Sequence, residues 1–241
     1  MGRPGHRLTA ALLLAPAWCA AAAAADPAAP RWSGEAELGL LRTTGNTDTA
    51  SVNAKARLVN ERERWRHTAG FDAARTTDGG RTTAERYRLQ GKTDYKFSQR
   101  SYLFAVAAYE DDRFSGYEYR ASLSGGYGRR IVDTATLRLE GEAGAGVRRN
   151  QLPDGVREDE VLVHGVLRLQ WHLSGTAVLR QELSVDGGED ITTTRSVTSL
   201  SARINKSLAM KLSFTARHDS AVPPGKVKTD TETAVTLVYG F

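Results

Sequence analysis

The stretch that closes the chain, Lys228 to Phe241, restricts the fold more than any other. Counting back by twos from the end, Phe241, Tyr239, Leu237, Val235 and Thr233 share one side. Gly240, Val238, Thr236, Ala234 and Glu232 share the other. Side chains alternate across a strand, so this is a ribbon with one face fit for hydrocarbon and a smaller, partly polar opposite face. A last strand of this kind, ending on a bare aromatic, suits a membrane-spanning barrel, where it closes the cylinder and sets an aromatic at the membrane boundary. On this stretch alone a soluble sandwich stays open as the alternative.

The same alternation recurs along the chain and predicts twelve strands. Tyr87, Leu89, Gly91, Thr93, Tyr95 and Phe97 alternate with Arg86, Arg88, Gln90, Lys92, Asp94 and Lys96, which is strong evidence for a two-faced strand. Weaker versions start near Ser33, Ala50, Trp65, Tyr117, Leu137, Val161, Ala177 and Leu208. Ser101 to Glu110 is apolar on both sides, which leaves its orientation open, and Thr193 to Asn205 shows a face only at Leu200, Ala202 and Ile204.

Residues 1–25 have the character of an export signal. Arg3, His6 and Arg7 make a basic start, Leu8 to Ala17 an apolar run, and Ala20 to Ala25 a small-residue cleavage region. Residues 26–31 form a short lead and 32–241 a single barrel domain. Trp18 before Cys19 argues against lipoprotein processing, and the only cysteine would leave with the signal. The 33 Lys and Arg against 28 Asp and Glu are scattered among one another rather than gathered in a basic block. Nucleic acid is therefore not an expected partner. Beyond the signal no run approaches the roughly 18 apolar residues of a spanning helix. A chain like this crosses a membrane only as a closed barrel, because lipid cannot satisfy an open sheet edge.

Connector spacing is a separate signal. Short links are expected at Asn60 to Glu63, Ser98 to Arg100, Arg129 to Asp133, Leu173 to Gly175 and Asn205 to Ser207. Longer ones, rich in Gly, Asp, Pro and Thr, are expected at Thr43 to Thr49, Thr76 to Thr83, Asp111 to Gly116, Arg149 to Arg157, Asp186 to Thr193 and Asp219 to Thr229. Short turns at one end and long loops at the other describe an outer-membrane barrel with both termini in the periplasm.

The polar faces then point inward, since Arg or Lys against midplane lipid costs about 2 to 4 kcal/mol each. The expected lumen network comprises Lys55, Arg57, Arg66, Asp72, Arg86, Arg88, Lys92, Asp94, Arg120, Arg138, Glu140, Glu142, Glu160, Arg168, Arg180 and Glu182, with Glu35, Glu37, Arg64 and Lys211 beside them. Twelve strands fall between small, side-chain-filled barrels and wide porins. The network fits either a stabilised, sealed lumen or a narrow water-filled pore for small solutes or ions. Gly126, Gly128, Gly144 and Gly146 fall on inward faces, where room for a neighbouring Arg is the expected purpose. Val235, Leu237, Tyr239 and Phe241 mark the strand that the barrel-insertion machinery would read.

Trp32-Ser33-Gly34, Leu38-Gly39, Thr43 to Thr49, Tyr109-Glu110-Asp111-Asp112-Arg113-Phe114, Gly125 to Gly128, Glu140 to Gly144 and Tyr239-Gly240-Phe241 resemble the salt-induced outer-membrane protein family (YdiY-like), a bacterial group classified as a domain of unknown function. The resemblance implies an outer-membrane barrel and a link to salt stress, and it supplies no catalytic residues.

Catalysis has little footing. His67 and His218 lie on the expected lipid side, with Asp219 and Ser220 next to His218, but no G-x-S-x-G element is present. The loop acids Asp48, Asp78, Asp111, Asp112, Glu189 and Asp190 are oxygen ligands without EF-hand spacing. The expected protein is non-catalytic and cofactor-free, in contact with outer-membrane lipids and lipopolysaccharide in a Gram-negative bacterium. A lipid-modifying enzyme and a soluble periplasmic binding sandwich are the alternatives.

Overall fold

The computed structural model describes residues 31–43, 49–222 and 225–240. The signal segment, Cys19, the turn at Gly45 and Asn46, Asp48 and Phe241 lie outside the described residues. The strands are β1 (Arg31–Thr43), β2 (Thr49–Glu61), β3 (Trp65–Asp78), β4 (Arg81–Lys96), β5 (Ser101–Asp112), β6 (Tyr119–Asp133), β7 (Leu137–Gln151), β8 (Arg157–His172), β9 (Ala177–Gly188), β10 (Thr192–Arg203), β11 (Leu208–Asp219) and β12 (Thr229–Gly240). Each pairs with its sequence neighbours, and β1 also pairs with β12, which closes the sheet into an antiparallel barrel. Closure overturns the sandwich alternative.

Burial is inverted relative to a water-soluble core. Val161 is 71% exposed, Leu40 70% and Leu89 59%, while Asp94 is 1%, Glu140 6% and Arg148 7% exposed. Alternation along each strand puts hydrocarbon on the outer wall and charge within, the arrangement that a bilayer around the barrel requires. Trp32, Trp65, Tyr95, Trp171 and Tyr239 sit near the end where the short turns lie, and Tyr87, Tyr109 and Tyr119 near the other. Trp65 packs on Tyr95 with ring centroids 4.9 Å apart, and Tyr109 stacks on Tyr119 at 5.5 Å. Two aromatic girdles thus bound the apolar belt.

The two strands with unclear faces are resolved by their neighbours. Tyr102 and Phe104 on β5 are buried in the lumen, and Leu103 is exposed outside. On β10 Ser199 faces in and Leu200 out, which turns Arg195 inward as well.

Connector lengths differ from expectation in three places, one of them the expected long link from Asp186 to Thr193, which shrinks to residues 189–191 because β9 continues to Gly188. In place of a loop from Thr76 to Thr83, β3 and β4 continue to a tight turn at Gly79 and Gly80, with φ of 55° and 77°. Consecutive positive φ values match the twist of a hairpin, and glycine takes them without strain, so the glycine pair extends the hairpin. The expected turn at Arg129 to Asp133 is strand, with the register slipping between Arg130 and Val132. The turn itself spans 134–136. Longer links persist at 113–118, 152–156 and 220–228, opposite the chain's ends. Among the described residues the β1–β12 ladder runs from Glu35↔Gly240 to Leu38↔Leu237, whereas β1 and β2 pair from Arg31↔Glu61 to Thr43↔Thr49.

Candidate functional site: a charged lumen bridged at one end

The end that holds the longer links is crossed by ion pairs. β5 and β11 stand on opposite sides of the ring of strands, yet Glu110 and Arg217 meet at 2.5 Å. Arg217 also lies 3.4 Å from Asp219, which Arg120 on β6 reaches at 3.1 Å. The Thr193 hydroxyl donates to Asp219 at 2.6 Å. Arg86 on β4 and Glu232 on β12 form a second crossing at 2.8 Å. Arg148 and Glu160, on β7 and β8, pair at 2.6 Å beside them. Charges taken out of water are tolerated only when paired in this way, and strands that share no backbone ladder are thereby tied together.

A second network lines one wall nearer the short turns. Lys92 contacts Asp94 at 2.7 Å and Glu142 at 2.5 Å, and Arg66 contacts Asp94 at 2.6 Å. The Tyr102 hydroxyl donates to Glu142 at 2.7 Å. Arg168 links Glu142 at 2.8 Å to Glu182 at 2.7 Å. Glu140 lies 3.3 Å from Arg130. Period two explains this clustering: residues two apart on β4 and β7 stack up one wall, within reach of their counterparts on adjacent strands.

The inward glycines serve a different purpose from the one expected. A Cβ on Gly128 would strike the Tyr102 ring, and one on Gly126, Gly144 or Gly146 would strike the neighbouring strand's backbone. A tyrosine laid over a glycine, and a close β6–β7 approach, take the place of the expected Arg. The interior is also less uniformly charged than expected, because Phe104, Leu162 and Val166 are buried inside with Tyr102.

Alongside the second network is a cavity of about 720 Å³, lined also by residues such as Glu35, Lys55, Arg57, Asp72, Arg180 and Arg195. None of Arg86, Glu110, Arg217 or Glu232 lines it. The bridges therefore lie outside the cavity's lining.

The structure brings Arg66, Lys92, Asp94, Glu140, Glu142, Arg168 and Glu182 into one network. It sets Arg86, Arg88, Arg120 and Glu160 among the bridges. Arg138 pairs with Asp133 at 3.2 Å near the turns, and Arg180 approaches Glu35 at 3.7 Å. Lys55, Arg57 and Asp72 border the cavity with no ion pair among the described residues. Arg64, expected inside, falls in the exposed turn between β2 and β3. Val235, Leu237 and Tyr239 lie outward. Sequence reasoning missed Tyr102 and Glu110 because β5 is apolar on both faces, Arg148 because it borders the expected link from Arg149 to Arg157, and Arg195 because β10 has a faint pattern. Counting back by twos from Ser199 would have found Arg195.

His67 sits against Thr93 at 3.1 Å and stacks on Trp65 at 5.9 Å, a girdle position. His218 contacts Thr229 at 2.8 Å, while adjacent Asp219 points into the lumen. His164 faces Asp186 at 2.6 Å and packs near Phe104. Among the described residues no group of three His, Asp or Glu side chains is placed to hold a metal ion.

A family model described as "Protein of unknown function, DUF481" matches residues 36–241. The "Uncharacterized protein YdiY" of Escherichia coli (strain K12) is 29% identical over 223 residues, covering 90% of this chain and 86% of that protein. Among solved structures, the NanC porin is similar with a TM-score of 0.54 at 8% identity, covering 87% of this chain and 98% of that one. The translocator domain of autotransporter NalP from Neisseria meningitidis is similar with a TM-score of 0.51 at 13% identity, covering 87% and 86%. These two likenesses concern the fold.

Proposed function

The chain belongs to the DUF481 family of unknown function, so its role is argued from its own lumen, and we propose that it is a non-catalytic outer-membrane barrel: a narrow pore that ion pairs hold shut. The observation that carries this reading is the Glu110–Arg217 contact between opposite strands, which crosses the lumen outside the cavity's lining. In this reading the bridged end faces the exterior and the short turns face the periplasm. Outer-membrane lipids and lipopolysaccharide surround the belt, and the insertion machinery reads the final strand through Val235, Leu237, Tyr239 and Phe241. An amino-terminal signal delivers the chain there.

Salt gives such a closure a physical control. Screening shortens from about 8 Å at physiological ionic strength to about 3 Å at 1 M, so pairs reached by lumen water weaken as salt rises. That supports the stress link of the family the sequence resembles.

The test is conductance in planar bilayers across a salt series, divided at each point by bulk conductivity. The wild type should be nearly silent at low salt and rise faster than the bulk, while Arg217→Met should conduct from the start. Equal normalised conductance of the two proteins at low salt would remove the reading. A sealed structural barrel is the second reading, favoured by Phe104, Leu162 and Val166 buried inside; it expects silence from both proteins at every salt concentration.

A further inference from the structure

The cavity has a surplus of positive charge that its own carboxylates leave unanswered. Arg57 on β2 and Arg195 on β10 both border it, and among the described residues neither has a carboxylate within ion-pair distance. Both lie within electrostatic reach of Glu182, but that carboxylate is held by Arg168 at 2.7 Å. Glu35, the other acid near Arg57, sits 3.7 Å from Arg180, and Glu37 is held by Lys211 at 2.7 Å. Asp72 reaches Arg195 only at longer range and stands across the ladder from Lys55. Most other cations of this lumen, Lys55 excepted, have a carboxylate partner. Two guanidiniums without a partner are therefore a departure from how the interior is built.

A guanidinium partly withdrawn from water is stabilised by an anion, and its planar fork binds carboxylate or phosphate through two parallel hydrogen bonds. The cavity volume falls within the range of about 300 to 1,000 Å³ usual for small-molecule sites. We propose that the cavity binds an organic anion carrying two or more carboxylate or phosphate groups, held by Arg57 and Arg195. The proposal rests on the lumen being water-filled at the short-turn end, as in the reading above. It does not need ions to pass.

The experiment is calorimetric titration of citrate into the folded, detergent-solubilised barrel in low-salt buffer. Saturable binding is expected, weakened about tenfold or more in the Arg57→Gln/Arg195→Gln protein, which loses two charge-assisted contacts. Arg149→Gln, on the outer wall, should bind as the wild type does. Folding of each protein is checked by the mobility shift of unboiled barrel on a denaturing gel. If the double variant does not fold, the wild type alone decides: citrate should raise its melting temperature by mass action, and neutral trimethyl citrate should not. No saturable binding, unchanged binding in the folded double variant, or complete displacement by physiological chloride would each overturn the proposal. Conductance bears on closure and calorimetry on the anion site, so the two ideas fail separately.

Discussion

Glu110 on β5 and Arg217 on β11 touch at 2.5 Å across the barrel, although no backbone ladder joins their strands. With Arg120–Asp219 beside it, the contact ties together two walls whose backbones meet only around the ring. Removing Glu110 leaves Arg217 only the longer 3.4 Å contact with Asp219, which Arg120 already shares, at a cost of up to about 3 kcal/mol. Glu110→Gln should therefore lower the urea midpoint of the barrel in lipid vesicles. The Glu110→Gln/Arg217→Met pair should recover most of that loss, because neither charge is then stranded. Additive losses in the double variant would show that the two residues act independently.

Tyr102 depends on Gly128. Its ring occupies the space that a side chain at 128 would need, and its hydroxyl reaches Glu142 at 2.7 Å. Gly128→Ala should destabilise by about 1 to 3 kcal/mol through overpacking, more than Tyr102→Phe, which loses one hydrogen bond worth about 1 kcal/mol. Equilibrium unfolding of both variants checks the order.

The tight β3–β4 turn is a test of backbone conformation alone. A Cβ on Gly79 or Gly80 would meet nothing within 4 Å, yet both residues have positive φ. Gly80→Val should cost at least about 1 kcal/mol, while Gly79→Asn should be nearly neutral, since asparagine tolerates the left-handed region. Equal effects of the two changes in the same unfolding assay would count against this account.

The outer belt predicts a contrast between neighbouring residues. Leu212 is half-exposed on the outer wall of β11, and Lys211 beside it points inward to Glu37. Leu212→Arg should cost about 2 to 4 kcal/mol in a bilayer and far less in a detergent that lets the side chain reach water. Comparing unfolding in vesicles and in micelles separates the two.

The sequence by itself determined the strand number, the inward and outward sets on most strands, and the barrel class. All of these depend on period-two alternation, which is local. It placed Arg66, Lys92, Asp94, Glu140 and Glu142 inside for the same reason. It failed where local pattern is silent: β5 is apolar on both faces, and only its pairing with β4 and β6 turns Tyr102, Phe104 and Glu110 inward. It also took Gly79 and Gly80 for part of a long loop, because composition does not separate a tight turn from a flexible link.

Only the tertiary structure decided which charges meet. Alternation puts Arg217 inward and leaves Glu110 undecided, and it does not say that walls six strands apart come close enough for the two to touch. Nor could it say that Arg57 and Arg195 would be left without carboxylates at contact distance while Arg66, Lys92 and Arg168 are paired. Inward direction is a property of one strand, whereas partnership depends on the curvature and closure of the whole sheet, which no single stretch encodes.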